Sequence, residues 1–204
     1  MKRLFVHTGI SFHHFFLQHH DGRYEKFFDR IIHILEVPMT DLTTYDYIYI
    51  PARHNQDLLF SYQSIWENYL RKGGHILAFG EIEKPWLPYV QWKSYPTNFY
   101  WWVWAGADLP MYATEEEHPL LQNMTIDDMK WHYHGVIQPH ENMEVIVHNE
   151  MQEGLICVDR TSFKGNIYVT TLDPEYHYGQ GFIPKVENFL DHYLNWIETD
   201  MVGA

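Results

Sequence analysis

The apolar positions of this chain fall into short runs closed by turn residues and into longer stretches with a period between three and four. Residues 2–8 form a brief apolar run that stops at Gly9, which suits a buried first strand better than a helix. A loop rich in His and Phe follows. Residues 24–35 place Phe27, Phe28, Ile31, Ile32 and Leu35 at helical spacing and set Glu25, Lys26, Asp29 and Arg30 on the other side, predicting an amphipathic helix. Residues 45–52, YDYIYIPA, are rich in strand formers and end at Pro51, a residue at home where a strand leaves its sheet. Over residues 57–72, Leu58, Leu59, Tyr62, Ile65, Trp66, Tyr69 and Leu70 make a stripe spaced by three and four. Arg71, Lys72, Gly73 and Gly74 then supply a cationic last turn and a left-handed cap. Residues 75–79, HILAF, complete a βαβ unit, whose right-handed crossover implies a parallel sheet. A last strand is expected at 165–172 and a last helix at 184–199, with Val186, Phe189, Leu190, Tyr193, Leu194 and Ile197 on one face.

Between these halves, residues 82–117 hold four prolines and the aromatic run Phe99, Tyr100, Trp101, Trp102, Val103, Trp104. That stretch reads as an insertion. Residues 131–136, 143–148 and 154–159 read as short strands, antiparallel additions to the parallel sheet. With 204 residues, no internal repeat and no linker, the expectation is one domain over 1–204 with the insertion at about 82–117. The fold class expected is α/β: a flavodoxin-like, doubly wound, mostly parallel sheet with helices on both faces.

Composition narrows the partners. No apolar run approaches the ~18 residues of a membrane span, and the first apolar stretch stops at His7 with no small-residue cleavage site after it. A soluble, cytoplasmic protein is therefore expected. The single Cys157 excludes an internal disulfide framework and agrees with a reducing compartment. A formal net charge of −13 argues against nucleic acid, whose binding relies on Lys and Arg displacing counterions. Fifteen histidines and eight tryptophans are the unusual features, and they mark either a site or an interface.

The segment YDYIYIPA, the helix after it and RKGGHILAFG together resemble the class I glutamine amidotransferase-like superfamily. There a strand, a helix and a Gly-Gly cap lead into the strand that carries the nucleophile. Within that superfamily the chain is most similar to the ThuA-like group, associated with trehalose and other sugar utilisation. The likeness rests on residues 118–124, HPLLQNM, and on the Gly-rich final strand, KGNIYVTTLD at 164–173. It extends over most of the chain. The resemblance implies a cysteine at the sharp elbow after residues 75–79, where a thiolate would attack an amide. Here the elbow reads Ala78, Phe79, Gly80, Glu81, Ile82, so Cys-dependent amidotransferase chemistry is not expected. Cys157 sits in the apolar run Leu155, Ile156, Cys157, Val158, where a small buried side chain is expected.

In an open α/β sheet, ligands bind beyond the carboxyl ends of the strands. Those exits here carry His7 and Thr8, then Arg53 and His54, then Gly80 and Glu81, then Asp173 and His177. His7, Thr8, Arg53, His54, Gly80 and Asp173 are the candidate ligand-binding residues. Glu81, a carboxylate at a strained turn, and His177 are the candidate acid and base, although Glu81 would serve equally to cap the following turn. His132 and His134 alternate on an expected strand and so share a face. They can hold a divalent metal with a third ligand from His177, Glu81 or Asp173, and the set His132, His134, His177 is the candidate metal site. A solvated strand face explains the two histidines more economically. His13, His14, His19 and His20 suit a surface loop. Trp101, Trp102 and Trp104 suit a dimer surface or local core better than a sugar-stacking wall.

Three readings remain open. The first is a ThuA-like domain without the nucleophilic cysteine that binds a small polar, carbohydrate-derived ligand at the strand exits. The second is a metal-assisted hydrolase using the His cluster, and the third a non-catalytic oligomerisation or interaction module, with homo-oligomers as one form. No cofactor is required by the sequence, and a divalent metal is allowed by it.

Overall fold

The strands are β1 (Arg3–His7), β2 (Arg30–His33), β3 (Tyr47–Ile50), β4 (His75–Phe79), β5 (Gln91–Ser94), β6 (Tyr112–Ala113), β7 (Gly135–Gln138), β8 (Met143–His148), β9 (Gly154–Asp159) and β10 (Ile167–Thr170). The helices are α1 (Ser11–Phe27), α2 (Gln56–Ser61), α3 (Gln63–Arg71), α4 (Pro174–Gln180) and α5 (Lys185–Gly203). The structure, a computed structural model, describes residues 1–96, 100–181 and 183–203.

All the strands join one sheet. Its parallel part runs β2, β1, β3, β4, β10. Counted in chain order, the five parallel strands therefore lie 2-1-3-4-5, the flavodoxin order. Beyond β10 the sheet turns antiparallel through β9, which pairs β7 and β8, while β5 extends β7 and β6 extends β8. Successive strand residues feed opposite layers, as the two-residue period of a pleated strand demands. Phe5, Tyr49, Leu77 and Phe79 pack with Phe16, Tyr178, Phe189 and Tyr193 of α1, α4 and α5. Leu4, Val6, Ile48, Ile50, Ile76 and Ala78 pack with Leu59, Trp66 and Leu70 of α2 and α3 on the other face.

Three expectations change. Residues 24–35 are not a helix: α1 begins in the presumed loop at Ser11, breaks at His19–Gly22 and ends at Phe27, and β2 follows. Ile31 packs toward one layer and Ile32 lies in the other, so pairing with β1 overrode a helical spacing. The helix expected at 57–72 is two helices meeting at Tyr62. The Leu59 carbonyl there accepts the Trp66 indole N–H at 2.9 Å as well as the Tyr62 N–H. The strand expected at 131–136 starts only at Gly135. Residues 82–117 contribute β5 and β6 and bury Trp86, Leu87, Leu109 and Met111; Phe99 of the aromatic run lies outside the described residues.

Candidate functional site

Asp173 follows β10 and stands at the N-cap of α4, whose first residue, Pro174, is preset for a helix start. An aspartate at this position ordinarily accepts from its own helix, but the Asp173 side chain makes no such bond. It is fully buried and is committed elsewhere: Arg53 Nη2 donates to Oδ2 at 2.8 Å and Trp131 Nε1 donates to Oδ1 at 3.3 Å. Burial alone would raise its pKa. Hydrogen bonding to His132 and His177 outweighs that and holds the carboxyl well below the usual range.

His177 lies one helical turn after Asp173, with Nε2 at 3.3 Å from Oδ1, and His132 Nε2 stands 3.5 Å from the same oxygen. The two Nε2 atoms are 3.2 Å apart. His132, Asp173 and His177 are thus the group that converges. This corrects the set expected from sequence: His134 Nε2 is 3.9 Å from Asp173 Oδ2 and 3.4 Å from Arg53 Nη2, and it does not join that convergence. Residues 131–134 are no strand, yet they alternate. Trp131 and Tyr133 are buried in the core, and the His132 and His134 rings sit 5.1 Å apart on the opposite side. Burial lowers the pKa of His134, while Glu81 and Asp173 pull it upward.

His132, His134 and His177 line a cavity of about 750 Å³ together with Arg53, Trp101, Trp102, Tyr176, Lys130 and Lys185, with Asp173 buried behind them. Arg53 is aimed by a turn with φ of 59°, and its guanidinium lies 4.3 Å from the Tyr176 ring centre. The Trp101 indole donates to the Trp131 carbonyl at 3.0 Å, tying the aromatic segment to the histidine segment. Trp101 and Trp102 thus line the cavity, Trp101 also packing against the core as the local-core reading expected, whereas Trp104 is 67% exposed.

The other expected residues hold the frame. His54 is buried and turned inward, its Nε2 donating to the Val6 carbonyl at 3.2 Å. His13, placed by the sequence reading in a surface loop, is buried too and donates to the Ala52 carbonyl at 2.9 Å. Together they brace the turn that presents Arg53. Burial pushes His13 down to about 4 and His54 to about 3. The His7 ring packs edge-on against His14 and His33, and the Thr8 N–H donates to His13 Nδ1, so neither belongs to the cavity wall. Gly80 turns the chain after β4 at φ of 73°, and a Cβ there would stand 2.6 Å from the Ala52 Cβ. Glu81 Oε1 lies 3.9 Å from His134, one side chain removed from Asp173. Cys157 is buried in β9, and burial raises its thiol pKa.

Glu175 and Tyr176 lie in the strand exit read from sequence, which gave them no role; Glu175 is fully buried and accepts from the Tyr49 hydroxyl at 2.7 Å, and burial pushes it up to about 8. Sequence reasoning missed Lys130 and Lys185 altogether. Asp173 and His177 carried a readable cue in their spacing of four, but nothing in the sequence links Lys130 or Lys185 to them.

Compared by sequence, the chain matches no protein-family profile and no curated protein. Compared by structure, it is similar to a protein of Bacteroides uniformis designated ThuA-like, with TM-score 0.56 and 13% identity over 97% of this chain and 91% of that one. A glutamine amidotransferase of Thermotoga maritima aligns with TM-score 0.56 and 10% identity over 100% and 99% of the two chains. A Thermoplasma acidophilum protein designated as one of the GMP synthase subunits has TM-score 0.54 and 13% identity over 98% of each chain. The fold is that of the ThuA-like and class I glutamine amidotransferase-like proteins.

Proposed function

We propose that this chain is a ThuA-like domain that binds a small polar, carbohydrate-derived ligand in the strand-exit cavity, without a thiol nucleophile. One observation carries the reading: Arg53, His132 and His177, gathered on the buried carboxylate of Asp173 beneath them, face a cavity walled by indole and phenol rings. Aromatic faces stack on the apolar faces of sugar rings, and a few convergent polar groups fix orientation. With no ion bound between them, His132 and His177 beside a carboxylate can move a proton at the floor, with Glu81 behind His134. The β4 exit carries Gly80 and Glu81 and the cysteine is sealed in β9, which supports chemistry other than a thiolate's.

The rim gives the ligand a sign. Lys185 Nζ donates to the Asp127 carbonyl, and no ion pair to a carboxylate is found for it among the described residues. Its pKa is lowered by burial. Lys130 and Arg53 on the same wall are already paired, with Asp108 and with Asp173, so Lys185 is the cation this wall offers to an anionic ligand. Sugar acids and sugar phosphates should therefore raise the melting temperature more than the matching neutral sugars. Lys185→Met should weaken the acidic ligands about tenfold, the worth of one charge-assisted hydrogen bond, and leave the neutral ones unchanged. Equal shifts for both ligand sets, or none for any, would reject this reading.

The exposed Tyr100, Trp102, Val103 and Trp104 favour a second reading, self-association through this rim. Light scattering of the wild type against Trp104→Ser tests it: a dimer that becomes a monomer supports it, and two monomers dismiss it.

A further inference from the structure

We infer that His132, Asp173 and His177 form a binding site for one divalent transition-metal ion, with an open coordination position facing the cavity. The inference rests on the reading that the strand-exit cavity is the working site. It follows from the triangle of donor atoms. His132 Nε2, His177 Nε2 and Asp173 Oδ1 are separated by 3.2, 3.3 and 3.5 Å. A tetrahedral ion with ligands at ~2.0–2.1 Å separates them by about 3.3–3.4 Å, so the triangle has the size of one face of such a shell.

Hydrogen bonding among the three explains the triangle less well. Each neutral imidazole carries one N–H. If both rings protonate Nε2 to donate to Asp173, two N–H groups oppose each other at 3.2 Å; if one ring donates to the other, the acceptor ring offers Asp173 no proton. A cation at the centre satisfies all three lone pairs together. Two imidazoles and one carboxylate suit zinc, cobalt or iron better than the oxygen-seeking magnesium or calcium, and three protein ligands with a vacant fourth position make the pattern of a catalytic rather than a structural ion.

The surroundings fit the same role. Arg53 on Oδ2 and Trp131 on Oδ1 fix the carboxylate, as outer partners of metal ligands do. His132 and His177 come from separate segments, the approach to β7 and α4, each held by core packing of its neighbours, Trp131 and Tyr178. An ion there would polarise a carbonyl or phosphoryl oxygen of the ligand or activate a water molecule.

The test uses the full chain without an affinity tag, stripped with a chelator and titrated with Co²⁺ and Zn²⁺. One equivalent of Co²⁺ should bind with the intense visible bands of a tetrahedral site, and Zn²⁺ should displace it. His132→Gln and His177→Gln should each abolish that equivalent, while His19→Gln/His20→Gln, which removes an adjacent histidine pair outside the cavity lining, should keep it. Near-ultraviolet circular dichroism checks that the variants fold. Absence of uptake by the wild type, weak octahedral bands, or an equivalent that survives both site variants would overturn the inference. The ligand panel on metal-free protein separates the two claims: thermal shifts without metal uptake remove the ion alone, and metal uptake without shifts removes the carbohydrate reading alone.

Discussion

Lowering the pH from about 6.5 to about 4 should cost this protein roughly 4 kcal/mol of stability, a large share of a typical domain's ~5–15 kcal/mol. The source is His13 and His54, buried and neutral, with folded-state values lowered to about 4 and about 3 from 6.5. Below pH 6.5 the unfolded chain takes up protons at these rings and the folded chain does not. Each ring therefore removes about 1.4 kcal/mol per pH unit until its own folded value is reached. Glu175 works the other way. Its value is raised to about 8, so the folded state binds the extra proton between about 4.5 and 8 and loses stability as the pH rises through that window. It cancels one histidine above pH ~4.5 and acts against the fold from 6.5 to 8, which places the optimum near pH 6.5. His7, His75 and His118, also lowered by burial, steepen the acid side. Urea midpoints measured across pH should show this asymmetric maximum. His13→Gln and His54→Gln should move the acid limb to lower pH, and unchanged acid limbs in both variants would show that these rings are not buried neutral.

Gly165→Ala should destabilise the protein by about 3 kcal/mol or more, near the severe end for a point change. An alanine Cβ at this position would stand 1.9 Å from the Gly74 carbonyl oxygen and 2.7 Å from its carbon. Both are backbone atoms, so no flexible side chain can give way. The approach is set by the parallel pairing of β4 and β10: the Gly165 N–H donates to the Leu70 carbonyl at 3.0 Å, and the Ile76 N–H donates to the Asn166 carbonyl at 3.1 Å. Relief requires parting the end of α3 from the start of β10, in the middle of the sheet. Gly203→Ala, where a Cβ meets nothing within 4 Å, is the control and should leave stability unchanged or slightly raised. Equal denaturation midpoints for the two variants would mean that the close approach is absent.

The buried strands were legible because each is short, apolar and followed by Gly, Pro or a polar exit. β4 coincides with the expected 75–79, and β1, β3 and β10 fall inside the runs read for them. The failure at 24–35 has a specific cause. Phe27, Phe28, Ile31 and Ile32 satisfy helical spacing as adjacent pairs, and adjacent apolar residues equally suit a strand buried on both faces. Periodicity cannot choose between these; pairing with β1 does.

The site divides in the same way. That Asp173, His177 and Arg53 stand at strand exits was readable from the chain alone, because a βαβ topology sends every parallel strand toward the same edge. That His132 rather than His134 meets His177 was not, since it depends on where residues 131–134 leave β7 and on Trp131 anchoring in the core. Nor could the sequence distinguish His54, turned inward to Val6, from Arg53, its neighbour in the cavity wall: one residue of difference reverses the side-chain direction in a turn with positive φ. Hydrophobic pattern and turn chemistry, which are local, determined the elements and their order. The convergence of Asp173, His132, His177, Trp101 and Lys185 from distant parts of the chain was decided only by tertiary packing, because contact between residues far apart in sequence depends on how whole layers close on the sheet.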